Sequence, residues 1–170
     1  MSISVREGWT VLHGMLFGAG FLLAFSGGLV GLYSLREEWM TKEGVKERLA
    51  KLKIGLWASA AIAWATVISG TYIVYPWYRL QDAASPRSIL LANPQTAVLH
   101  TLGMEWKEHV GWLAPIAATV VAFAVTYYGP LLAKRTGERR ALAIFFIFAF
   151  ATAAIAGGFG AFINKVAPLR

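Results

Sequence analysis

Three histidines, His13, His100 and His109, are the residues of this sequence best suited to chemistry. Each falls in or beside a long apolar stretch, where a polar ring is costly enough to point to a function. Two imidazoles brought to one depth from different helices make the axial pair of a haem. Depth follows from counting to the first basic residue beyond each histidine's own stretch. His13 stands 23 residues before Arg36 and His109 stands 25 before Lys134, which differ by only about 3 Å of helical rise. His100 lies nine residues before His109, about 13 Å further out on a continuous helix. His13 and His109 are therefore the expected ligands of one b-type haem. His100 is the alternative second ligand, because Val11-Leu12-His13 recurs as Val98-Leu99-His100. His100 and His109 themselves fall on opposite faces of a helix and cannot share one iron.

Other residues suit the same cofactor. Gly14 follows His13 and Gly111 lies two after His109, leaving room for a flat macrocycle. Arg79, Arg87 and Lys107 stand at the matching end to meet the propionates, with Tyr75, Trp77 and Tyr78 as hydrogen-bond donors. A second chemistry is open in Glu105-Trp106-Lys107-Glu108-His109. Glu105 and His109 share a helix face, and with Glu108 and His13 they offer carboxylate and imidazole ligands to non-haem iron, zinc or copper. The same carboxylates could serve a quinone or proton site. Against all three stands the plain alternative that these groups only solvate the end of a helix.

The absent motifs narrow the field. Without cysteine there is no disulfide, iron–sulfur cluster or thiolate zinc site. No G-x-x-x-x-G-K-[ST], G-x-S-x-G or H-E-x-x-H occurs, and no residue set identifies a catalytic reaction.

Four apolar blocks must position the histidines: Trp9 to Leu35, Ile54 to Tyr78, Val110 to Ala133 and Ala141 to Ile163. Each is long enough to cross about 30 Å of hydrocarbon, and none holds an Asp, Glu, Lys or Arg. Overall, 57% of residues are hydrophobic and 15% charged, against roughly a quarter charged in a soluble domain. The first block is too long for the apolar part of a secretory signal and carries no cleavage pattern. The expectation is an all-α integral membrane protein: one domain, 1–170, forming a four-helix transmembrane bundle. Its helices should run over about 9–35, 54–78, 95–134 and 141–163, with 36–53 cytoplasmic and 79–94 an outer loop.

Charge sets the orientation. Ten of the sixteen basic residues lie between blocks one and two or between blocks three and four. The other six are Arg6, Arg79, Arg87, Lys107, Lys165 and Arg170. The positive-inside rule places the first group in the cytoplasm and both termini outside. The mixed signs of 36–53 read as solvated helix, broken near Gly44, and argue against nucleic acid. Aromatic residues at the outer end (Trp9, Tyr72, Tyr75, Trp77, Tyr78, Trp106, Trp112) form a headgroup belt. Small residues four apart at 14/18 and 27/31, and at 154/158 and 157/161, suit close contact of helices one and four, or room for a cofactor.

The functional expectation is a small b-type cytochrome of a prokaryotic cytoplasmic membrane. It would exchange electrons with a quinol or another carrier, as a redox subunit rather than a stand-alone enzyme. The alternative is a cofactor-free accessory subunit of a larger membrane complex, and the third is a non-haem metal or quinone site. An oligomer is compatible with either.

Overall fold

A computed structural model describes residues 3–169, so Arg170 of the basic tally lies outside the described residues. The described chain is helical throughout, with no strand. Four helices are long and apolar enough to cross a membrane: α1 (Val5–Ser34), α2 (Lys42–Tyr78), α4 (Pro94–Ala133) and α5 (Thr136–Val166). A short helix, α3 (Pro86–Leu91), occupies the connection expected to be a loop.

The starts are set by local chemistry. Ser4 and Glu7 exchange side-chain and backbone hydrogen bonds in a capping box at α1. Thr41 accepts from the Gly44 amide at the start of α2. Asn93 accepts from the Gln95 amide and caps α4, which begins at Pro94. The break expected near Gly44 lies earlier, at 35–41, where Glu37–Trp39 make a single 3-10 turn. Gly44 is instead an interior residue of α2, which carries the charged segment as solvated helix.

α1 packs against α2 and α5, and α4 packs against the same two, so α1 and α4 stand diagonally across the bundle. Small residues make the close approaches. A Cβ built on Gly28 would lie 2.5 Å from Phe146 Cε1 and 3.2 Å from Leu56 Cδ2. One on Gly31 would lie 2.7 Å from Leu52 Cδ1. Of the 27/31 pair, Gly27 meets nothing within 4 Å and Gly31 approaches α2 rather than α5; the close contact with α5 is made by Gly28, which also meets α2.

The end carrying 36–53 and 134–140, here the basic end, is closed by a buried arginine. Arg139 is 6% exposed and donates to the carbonyls of Leu132 at 2.6 Å and Ala133 at 2.7 Å. Those carbonyls belong to the last turn of α4, where few amides follow to satisfy them; the Leu132 carbonyl also accepts from the Arg135 amide at 3.1 Å. Arg139→Gln should therefore lower unfolding stability by about 3 kcal/mol, the scale of lost bonds to a charged donor. Arg140→Gln beside it, on the surface, should shift stability by less than about 0.5 kcal/mol. Denaturant titration in detergent reads both.

Buried apolar side chains form two clusters. The larger runs from the basic end to Phe21, Ala63, Ala117 and Ala149. The smaller, at the end carrying both termini, joins Tyr78, Leu90, Met104, Ile163 and Ala167. Between them lies a layer of buried or half-buried polar groups, including His13, Thr66, Ser69, Lys107 and Thr152.

Candidate functional site

This interruption of the core coincides with an unusual backbone. Four stretches widen to π-helix: Leu12–Gly18 in α1, Gly70–Val74 in α2, and Leu99–Met104 and Trp106–Val110 in α4. All three histidines lie in them. Inserting a residue into a helical turn frees backbone groups and re-aims side chains, which is why such turns gather at functional sites.

His13 leans across to α2. Its Nδ1 lies 2.9 Å from the Thr66 carbonyl and 3.3 Å from the Ser69 hydroxyl. A carbonyl oxygen only accepts, so Nδ1 carries the proton and donates, leaving Nε2 with its lone pair. Such a bond fixes the tautomer and the orientation of the ring, as it does for imidazoles that bind a metal. Gly70 makes the approach feasible, since a Cβ there would lie 2.6 Å from His13 Cε1. Ser69 in turn donates to the same Thr66 carbonyl at 3.1 Å.

Lys107 enters the layer from α4. Its ammonium has electrostatic reach to His13 and donates to the Ala156 carbonyl of α5 at a long 3.5 Å. The amine also abuts Gly160, whose Cβ would lie 2.8 Å from Nζ. With one distant acceptor among the described residues for its three N–H donors, this interior cation has spare hydrogen-bonding capacity. Its neighbour Trp106 donates to the Thr152 carbonyl of α5 at 3.4 Å.

His109 stands two residues after Lys107, on the opposite face of α4. Its side chain is 72% exposed, and Nδ1 donates back to the Glu105 carbonyl at 3.0 Å, with the Glu105 carboxylate 3.5 Å away. His100 is half-buried, its Nδ1 2.8 Å from the Tyr78 hydroxyl. Tyr78 follows Gly70 by eight residues, so His100 meets α2 about 12 Å further toward the terminal end than His13 does. His13 and His100 thus meet α2 at different places along its length. Among the described residues, however, no hydrogen bond or ring contact joins any two of the three imidazoles.

Around His100 a second polar group assembles. Tyr78 is 2% exposed and stacks on Tyr75 at 6.1 Å. Arg79 donates to the Tyr75 hydroxyl at 2.9 Å, and Glu108 faces both tyrosines. Arg87 stands close to Tyr78 and His100, and its Nε is buried without a hydrogen-bond partner among the described residues. Composition placed Tyr78 in a headgroup belt, whereas α3 and the chain end cover it. Tyr72, by contrast, is exposed as a belt requires, and Trp77 is half-buried.

The glycines have different parts. Gly14 is exposed with open space beside it. A Cβ on Gly111 would lie 2.6 Å from the Lys107 carbonyl, so that glycine lets the wide turn close, with its amide bonding back to Trp106. Gly70 and Gly160, not singled out by sequence, are the ones against His13 and Lys107. For a non-haem ion the donor set is poor, since no group of three or more His, Asp or Glu is placed to hold a metal among the described residues. For a haem, His13 offers a ring nitrogen left free by its Thr66 bond and Lys107 an interior cation, while His109 faces away from the bundle and turns no second imidazole toward His13.

No family model, curated protein or solved structure matches this chain, so its function rests on these residues alone.

Proposed function

We propose that the protein is a membrane-embedded b-type cytochrome with one haem in the polar layer, exchanging electrons with a quinol or another carrier. The observation that carries this reading is His13, with Nδ1 held by the Thr66 carbonyl and Nε2 left free inside an apolar bundle. The haem, when bound, supplies one-electron chemistry. Thr66 and Ser69 fix the plane of the His13 ring, Gly70 admits it, and the Lys107 ammonium offers its unused donors to a propionate. The four apolar helices cross the bilayer, and the ten basic residues of the basic end place that end in the cytoplasm, with the haem toward the outer leaflet.

The second ligand in this reading is His109, the α4 histidine in the layer of His13. Its ring faces away from the bundle, and the wide turn at Trp106–Val110 is where α4 can re-aim it.

Two substitutions test the assignment in the oxidised and reduced spectra of purified protein. His109→Ala should lose the low-spin haem spectrum, and His100→Ala should keep it. The reverse result would transfer the ligand to His100. Lys107→Met should weaken haem retention about tenfold, as loss of an outer partner does at metal sites. It should also lower the midpoint potential, because a cation beside the haem favours the electron-richer reduced state. An unchanged potential would remove Lys107 from the site.

A further inference from the structure

The basic end carries a feature unrelated to the polar layer. A groove of about 580 Å³ runs between α1 and α5. Its floor is apolar, with Leu29, Leu32, Ala143 and Ile147 among the lining side chains. Its mouth holds three arginines, Arg36, Arg139 and Arg140, and no carboxylate lines it.

The three guanidinium groups are differently engaged. Arg139 is consumed by the Leu132 and Ala133 carbonyls. Arg36 gives one N–H to the Tyr33 carbonyl at 3.1 Å and lies over the Tyr33 and Trp39 rings at 4.5 and 4.4 Å. That fixes its position and leaves its remaining donors free. Arg140 is exposed and has no hydrogen-bond or ion-pair partner among the described residues. Glu38, the carboxylate whose field reaches Arg139, leaves an excess of two positive charges.

Like charges crowded at a groove mouth repel one another unless an anion joins them, and an apolar floor beneath calls for a hydrocarbon chain. We infer that this groove binds an anionic phospholipid, its acyl chain along α1 and α5 and its phosphate between Arg36 and Arg140. Basic pockets between membrane helices on the cytoplasmic side recognise such headgroups by the same chemistry. The inference rests on the membrane reading above and is independent of the haem.

The test is native mass spectrometry of the intact protein exchanged into equal amounts of phosphatidylglycerol and phosphatidylcholine. A single phosphatidylglycerol adduct should dominate. Arg36→Ala and Arg140→Ala should each weaken its retention about fivefold. Ala143→Trp should remove it by filling the groove while leaving every charge in place. Lys46→Ala, which deletes an exposed charge of the same end outside the groove, should have no effect, and excess inorganic phosphate should not displace the lipid. No preference over phosphatidylcholine, equal loss with Lys46→Ala, or retention in Ala143→Trp would each overturn the site. The haem spectrum of all four variants should match the unsubstituted protein, so a failure here is separable from a failure of the cytochrome reading.

Discussion

Replacing His13 by alanine should yield a folded protein without haem. The substitution removes the imidazole whose Nδ1 is held by the Thr66 carbonyl and whose Nε2 has no hydrogen-bond partner among the described residues. It also leaves Ser69 and the Thr66 carbonyl bonded to each other, so no buried polar group is orphaned by the change. His13 belongs to neither apolar cluster, and helicity by circular dichroism should therefore be unchanged. Spectroscopically the effect should be all or none, with the Soret band lost. A His13→Ala protein that keeps a full bis-ligated spectrum would exclude His13 from the iron.

The second large effect concerns the bundle. Gly28→Leu should destabilise the protein by about 3 kcal/mol, the upper range for an overpacked core. Even the first added carbon would lie 2.5 Å from Phe146 Cε1, 3.0 Å from Phe146 Cζ and 3.2 Å from Leu56 Cδ2. Phe146 and Leu56 are both fully buried at 0% exposure, so neither ring nor isobutyl group has space to retreat. The α1 helix would have to move off α2 and α5 together. Gly27→Leu one residue earlier meets nothing within 4 Å and should be nearly neutral. Unfolding in mixed micelles compares the pair directly, and equal stability of the two variants would contradict the packing described.

The helices were legible because composition alone demands them. Blocks free of charge and longer than twenty residues have few other solutions, and α1, α2, α4 and α5 fall where those blocks lie. Charged extensions added to them follow from caps such as Thr41 and Asn93, which sequence shows only faintly. The site was legible in its residue types but not in its directions. Counting residues placed His13 and His100 in separate layers because rise along a helix is regular. Facing is another matter, since four π-helical stretches each add a residue to a turn and carry no signature in composition. Lys107 reads as one more solvating charge in Glu-Trp-Lys-Glu-His, and only the packing of α4 on α5 turns it inward and His109 outward. The pairing of Tyr78 with His100 depends on how the 79–94 connection folds back as α3, a tertiary event that no local pattern announces.

The central claim is that this bundle holds a haem on His13. It is tested most directly by the absorption spectrum of the purified protein, titrated with haemin if it emerges incompletely loaded. The account predicts a Soret band and, on reduction, a sharp α-band of b type at one haem per chain. A colourless protein that takes up no haemin would contradict it and leave the cofactor-free membrane subunit as the reading.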